Sequence, residues 1–300
     1  MKKIFLIGFY ITFFVSNAQK IELIESFIGY QKQSEIISFT PNPKIIMSGD
    51  FKGNINLWDL EQQKLIKTIS AHTLKINDID FDKSSRRFIT CSQDSSIKVW
   101  SFYTNKLLES YKIPSIPNLV RFNNSGDGYF IFTNNGNIIE KRIKKKEYYY
   151  SNILSQTIND VILTKNNNII VCDDKAIKKI NLNTKEIIHE IKNPYSSNFL
   201  KIDEFSGDTL ISWSENGMIS YWDMNTQNVI TEIRAKNAYN KLLINDFAEI
   251  ILSGYYKDRP LVINLKEIKL EQKYSDNMIV VNTFLSSLDQ KYLVSSDTDN

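Results

Sequence analysis

Histidine and cysteine are scarce here, with two of each among 300 residues. His72 and His189 leave little from which to build a histidine-based triad or a metal cluster. No Gly-x-Ser-x-Gly, phosphate loop, zinc-ligand spacing or Gly-x-Gly-x-x-Gly is present. Excess charge of one sign is missing as well. Without Lys2 and Lys3 the chain has 35 basic and 34 acidic residues, so it has no general field for nucleic acid or an anionic membrane. Long apolar runs are also lacking, because the longest, Ile4 to Val15, falls short of the roughly 20 residues that span a bilayer. With Lys2 and Lys3 before it and Ser16-Asn17-Ala18 after it, the run reads as a signal peptide over residues 1–18, cleaved before Gln19. The expectation is an exported protein, periplasmic, on the cell surface or extracellular, with no transmembrane segment after cleavage.

What the chain does have is a repeat. Trp58-Asp59, Trp100-Ser101, Lys141-Arg142, Ile180-Asn181, Trp222-Asp223 and Ile263-Asn264 follow one another at intervals of 42, 41, 39, 42 and 41 residues. Six residues before each anchor stands Lys52, Asp94, Asn135, Asp174, Asn216 or Lys257, where a tight turn should join two strands. One such unit cannot bury its own apolar face, so the units must stack and share a core. Between anchors the runs are short, β-branched and aromatic, and bounded by turn residues. In the second unit the strands are expected at Ile76 to Phe81, Arg87 to Ser92, Ser96 to Ser101 and Lys106 to Tyr111. Cys91 and Cys172 fall in the second strands of non-adjacent units, too far apart for a disulfide, whose Cα atoms lie within about 7 Å. Each reads as a small buried apolar residue.

The stretch Ser48 to Asp59, with Thr90 to Trp100 and Ser212 to Asp223, resembles the second half of a WD40 repeat, and the likeness extends over residues 21–300. It implies an all-β, seven-bladed WD40-type β-propeller, an arrangement that leaves only short sheet edges. Blades are expected at about 31–70, 71–112, 113–153, 154–192, 193–234, 235–275 and 276–300. The family's structural tetrad maps onto His72, Thr90, Asp94 and Trp100. The resemblance implies that the Trp100 indole meets the Thr90 hydroxyl, the hydroxyl meets His72, and His72 meets Asp94. Partial tetrads remain as Ser48 and Trp58 in the first unit, and as Ser212, Asn216 and Trp222 in the fifth. The third, fourth and sixth units lack the Trp.

The seventh unit stops in its turn at Asp299-Asn300, so its third strand is expected beyond Asn300. The strand-like segment 21–28 is expected to complete that blade as its outermost member.

For function, the resemblance implies a non-catalytic scaffold that binds a protein or peptide through loops around one mouth of the channel. Phe51, Lys52, Gln93, Glu215, Tyr255, Tyr256 and Lys257 are the candidate contacts. Aromatic Phe51 and Tyr256 stand in turns whose usual tenants are polar, each beside a lysine. An alternative is the targeting propeller of a longer secreted bacterial enzyme, such as a caspase-like peptidase, with its catalytic module beyond residue 300. Asp78, Asp80 and Asp82 alternate on one strand face, which invites a calcium reading; a wet inner strand and the Asp82 to Ser85 turn account for them without metal. Lys144 to Lys146 and Tyr148 to Tyr150 read as a solvated hairpin rather than a nucleic-acid site. The expectation is therefore a monomer with no cofactor, no metal and no nucleic-acid partner. The abundance of Lys, Asn and Ile reads as the product of an AT-rich genome, without mechanistic weight.

Overall fold

The structure, a computed structural model, describes residues 5–8, 27–28, 34–62, 64–84, 86–144, 148–152, 154, 156–164, 168–194, 197–206 and 209–234. It also describes the strands 239–244, 249–254, 261–264, 269–271, 281–286 and 293–297. These residues form seven four-stranded sheets. The first sheet comprises Ser34–Phe39, Ile45–Asp50, Asn54–Asp59 and Lys64–Ser70. The second comprises Ile76–Phe81, Arg87–Ser92, Ser96–Ser101 and Leu107–Lys112, within one residue of the strands expected from sequence. Pro117–Phe122, Gly128–Thr133, Asn137–Arg142 and Tyr148–Asn152 form the third. Ile158–Leu163, Asn168–Asp173, Ala176–Asn181 and Ile187–Lys192 form the fourth. The fifth runs from Phe199–Ser206 to Asn228–Arg234 and the sixth from Tyr239–Ile244 to Lys269–Glu271. Among the described residues no helix is long and apolar enough to cross a membrane.

Burial follows position in the sheet. The second strand of the second sheet is buried at Phe88, Ile89, Thr90, Cys91 and Ser92, whereas the fourth exposes alternate positions. A strand flanked on both sides and covered on both faces has to be apolar or internally hydrogen-bonded, while an edge strand can alternate.

The chain divides into two compact units, residues 77–236 and residues 1–76 with 237–300. In the first of these, adjacent sheets share their cores. Ile89, Cys91, Ile97 and Val99 pack with Val120, Phe122, Tyr129, Ile131 and Ile139; further along, Ile170, Cys172 and Ile177 pack with Phe199, Ile202, Leu210 and Trp222. Both cysteines are buried and free.

The first strands are also tied to one another by side chains. The Asn77 amide donates to the Pro117 carbonyl at 2.8 Å, Asn118 to Ile158 at 3.5 Å and Asn159 to Phe199 at 2.8 Å. Asp78 and Asp160 accept from the backbone N–H groups of Val120 and Ile202 at 2.9 and 3.2 Å. Open strand edges are thereby satisfied by the neighbouring sheet. This corrects two sequence readings. Asn is not merely compositional at these positions, and Asp78 does not line wet space, being 3% exposed and ion-paired with Arg121.

In the other unit, the seventh sheet contains Val281–Ser286 and Leu293–Asp297, paired antiparallel. The third place, which the sequence assigns to a strand beyond Asn300, is taken by Phe5–Gly8, parallel to Leu293–Asp297. Phe27–Ile28, within the segment expected to close the blade, is the outermost member and pairs parallel with Phe5–Gly8. The rest of residues 1–18 lies outside the described residues.

Candidate functional site

The repeat anchors carry a recurring buried hydrogen bond. The indole N–H donates to the hydroxyl ten residues earlier in three sheets: Trp58 to Ser48 at 3.0 Å, Trp100 to Thr90 at 3.0 Å and Trp222 to Ser212 at 2.8 Å. The second and third strands pair antiparallel, with Ile46 opposite Trp58 and Phe88 opposite Trp100. Each indole therefore returns past its own turn to the strand that carries the hydroxyl. His72 is buried in the loop after the first sheet, and its backbone N–H donates to the Gly53 carbonyl at 2.8 Å. Asp94 accepts from the Ser96 N–H at 2.9 Å and from the Ser96 hydroxyl at 2.5 Å. In the third sheet Lys141 replaces the Trp; it is 8% exposed, with its ammonium 5.2 Å from the Tyr111 ring centre. A cation over an aromatic face thus stands where the first, second and fifth sheets put an indole, a substitution that spacing alone does not reveal.

In the first, second, third and fifth sheets the turn between second and third strands follows one plan, with the N–H of Gly53, Ser95, Gly136 or Gly217 donating to the carbonyl three residues earlier. Asp50 accepts from the N–H groups of Lys52 and Asn54, both at 2.8 Å, and Thr133 accepts from Asn137 at 3.0 Å. Gly53 has φ of 82°, and a Cβ there would stand 2.3 Å from the His72 carbonyl oxygen, so the turn and the following loop touch through bare backbone. Phe51, 42% exposed, projects from this turn, with the Lys75 ammonium 5.1 Å from its ring centre and exposed Leu74 in the same loop as Lys75. Burial pushes the Lys75 ammonium below the usual lysine range. Lys52, Gln93, Glu215 and Asn216 are exposed in their own turns. Asn216 accepts from the Met218 N–H at 3.1 Å. Tyr255, Tyr256 and Lys257 lie outside the described residues.

Residues 63–101 match the family described as "WD domain, G-beta repeat". The structure resembles the β-propeller domain of Cps50 (Swd1) from Myceliophteria thermophila. Its TM-score is 0.72 at 12% identity, over 89% of this chain and 96% of that one. The fold is a WD40 β-propeller. By sequence, a WD repeat-containing protein 55 homolog of Drosophila willistoni is 35% identical over 78 residues, 25% of this chain and 16% of the relative. Eukaryotic translation initiation factor 3 subunit I of Drosophila ananassae is 34% identical over 83 residues, 27% of this chain and 26% of the relative. The chain therefore spans between a sixth and about a quarter of these relatives.

WD40 propellers generally act as non-catalytic scaffolds for proteins or peptides, and the acidic residues of this propeller fit a structural role. Asp78 pairs with Arg121, and Asp80 accepts from the Phe122 N–H at 2.7 Å. Asp82 accepts from Arg87 Nε at 2.8 Å. Among the described residues no group of three or more His, Cys, Asp or Glu side chains is placed to hold a metal ion. His189 stands on the surface, with Nδ1 3.3 Å from Gln227 Nε2.

Proposed function

We propose that this propeller is an exported, non-catalytic scaffold that binds a protein or peptide through the loops on the turn side of its sheets. The observation that carries the reading is the Phe51 turn. A large aromatic ring is left exposed where other turns present Gln93 or Glu215. It is backed by the Lys75 ammonium and stands near exposed Leu74. Aromatic anchors that keep little contact with their own chain gain most when a partner covers them. A signal-like N-terminus supports export, and the near balance of charge favours a protein surface over nucleic acid.

The test is capture on the immobilised chain of a partner from the envelope extract of the source cells. Combining Phe51→Ala with Leu74→Ala should lower retention about tenfold or more and leave the thermal midpoint nearly unchanged. Full retention by that variant would overturn the reading.

A further inference from the structure

The fourth sheet departs from the turn plan. Asp173 accepts from the N–H groups of Lys175 and Ala176, both at 2.8 Å. The capping bond that spans four residues at Asp50 and Thr133 thus spans three here. One residue is missing. Gly53, Ser95, Gly136 and Gly217 supply a left-handed residue in the other described turns, at φ of 82°, 61°, 80° and 81°, and none occurs between Asp173 and Ala176. The place whose carbonyl receives the next loop's N–H is held by Gly53 and Ser95 in the first two sheets and by Lys175 in the fourth, from Asn193 at 2.7 Å. A long cationic side chain therefore stands where its counterparts have almost none, and the shortened turn lets a non-glycine residue stand there without strain.

A cleft of about 540 Å³ opens at this point, lined in part by Gln156, Asp174, Lys175, Lys178, Glu190, Lys192 and Ser197; Asp174 already accepts from the Asn159 amide at 2.9 Å. Lys178 is already ion-paired, 2.5 Å from Asp173 and 3.9 Å from Glu190. Lys175 and Lys192 are exposed and have no acidic partner among the described residues. Gln156 Oε1 and Ser197 Oγ are buried and make no hydrogen bond among the described residues, a state that costs about 1–3 kcal/mol per group. An amide oxygen accepts and a hydroxyl can donate, the two functions that a peptide bond complements, and both residues line the cleft.

We propose that this cleft binds an extended acidic peptide segment. A Glu or Asp side chain is received between Lys175 and Lys192, and the peptide backbone is met by Gln156 and Ser197. The proposal deepens the scaffold reading by naming the partner's chemistry on the fourth sheet, and it is tested apart from Phe51.

The probe is a fluorescein-labelled peptide of alternating Glu and Ser, with its Gln counterpart, followed by fluorescence polarisation on the full chain. The Glu peptide should bind about tenfold or more tightly than the Gln peptide, and added salt should weaken it. Combining Lys175→Gln with Lys192→Gln should lower affinity about tenfold, whereas the charge-matched pair Lys106→Gln with Lys112→Gln should leave it unchanged. Each cleft lysine changed singly should give a partial loss, which keeps the test open if the double variant folds poorly. Phe51→Ala should not alter peptide binding, so failure here and failure of the scaffold reading are separable. Equal binding of both peptides, equal loss in the control pair, or displacement by inorganic phosphate as efficient as by unlabelled Glu peptide would overturn the proposal, the last in favour of a small anion.

Discussion

The side-chain amide of Asn159, in the first strand of the fourth sheet, donates at 2.8 Å to the backbone carbonyl of Phe199 in the first strand of the fifth. The same amide nitrogen lies 2.9 Å from Asp174 Oδ1, so one side chain joins a neighbouring strand edge to the turn beside the cleft. Phe199 is fully buried, and its carbonyl has no route to water if the amide is removed.

Asn159→Ala should therefore destabilise the protein by about 1–3 kcal/mol, the cost of leaving a buried acceptor unpaired. Asn118→Ala should cost less, because its bond to Ile158 is 3.5 Å long. Urea unfolding of both variants checks the order; equal effects would show that these amides do not carry the join between sheets.

Trp100 stacks on Phe88, centroids 5.9 Å apart, and donates to Thr90. Trp100→Ala should cost about 3–5 kcal/mol through the cavity it leaves. Thr90→Val keeps the volume and removes the acceptor, leaving the indole N–H unpaired, so a loss of about 1–3 kcal/mol is expected. Neither substitution should alter binding of the Glu peptide beyond the loss of folded protein, which circular dichroism melts and polarisation together will show.

Burial pushes Asp80 up to about 6 against the opposing pull of Arg121, and burial likewise pushes Asp203 to about 6 against Lys201. An acid with a raised folded pKa holds its proton more tightly folded than unfolded. Its contribution therefore weakens as pH rises from about 4 to about 6 and stays low above that. Asp80→Asn should flatten this part of the stability profile. Asp82 behaves oppositely. Burial works against its charged form, yet hydrogen bonds from Arg87, Ser84 and Arg86 hold it below the usual carboxylate range, so its contribution is lost only as pH falls below about 4. Urea midpoints at several pH values should show the Asp80→Asn difference between pH 4 and 6; an unchanged slope there would refute the assignment.

If the leader is removed on export, the recovered protein should begin at Gln19, which intact-mass measurement reads directly. Phe5–Gly8 would then be absent from the seventh sheet and the edge of Leu293–Asp297 left open to another strand. A recovered mass that includes Met1 would instead mean that the parallel strand is retained.

The strands of the second sheet were legible because turn chemistry and alternating apolar positions act over fewer than ten residues. The Trp100–Thr90 bond was implied by the family resemblance, and the structure repeats it at Trp58–Ser48 and Trp222–Ser212, where hydroxyl and indole again sit ten residues apart across one turn. Asn77, Asn118 and Asn159 recur every 41 residues, a signal that was visible but lost among abundant asparagines. The cleft had a fainter trace: Thr133 to Asp173 is 40 residues and Asn137 to Ala176 is 39, and the missing residue falls in the turn. Nothing local could pair Lys141 with Tyr111, whose meeting depends on how two sheets face one another.

The amino-acid order by itself determined the four-stranded module, its turns and its repetition, because backbone preference and apolar alternation are settled within one module. Only tertiary structure decided which polar groups meet between modules: the Asn and Asp bonds across first strands, the burial of Asp78 against Arg121, and the opening beside Lys175. Those contacts join residues about 40 positions apart, and their geometry follows from the packing of whole sheets, which no short stretch of sequence contains.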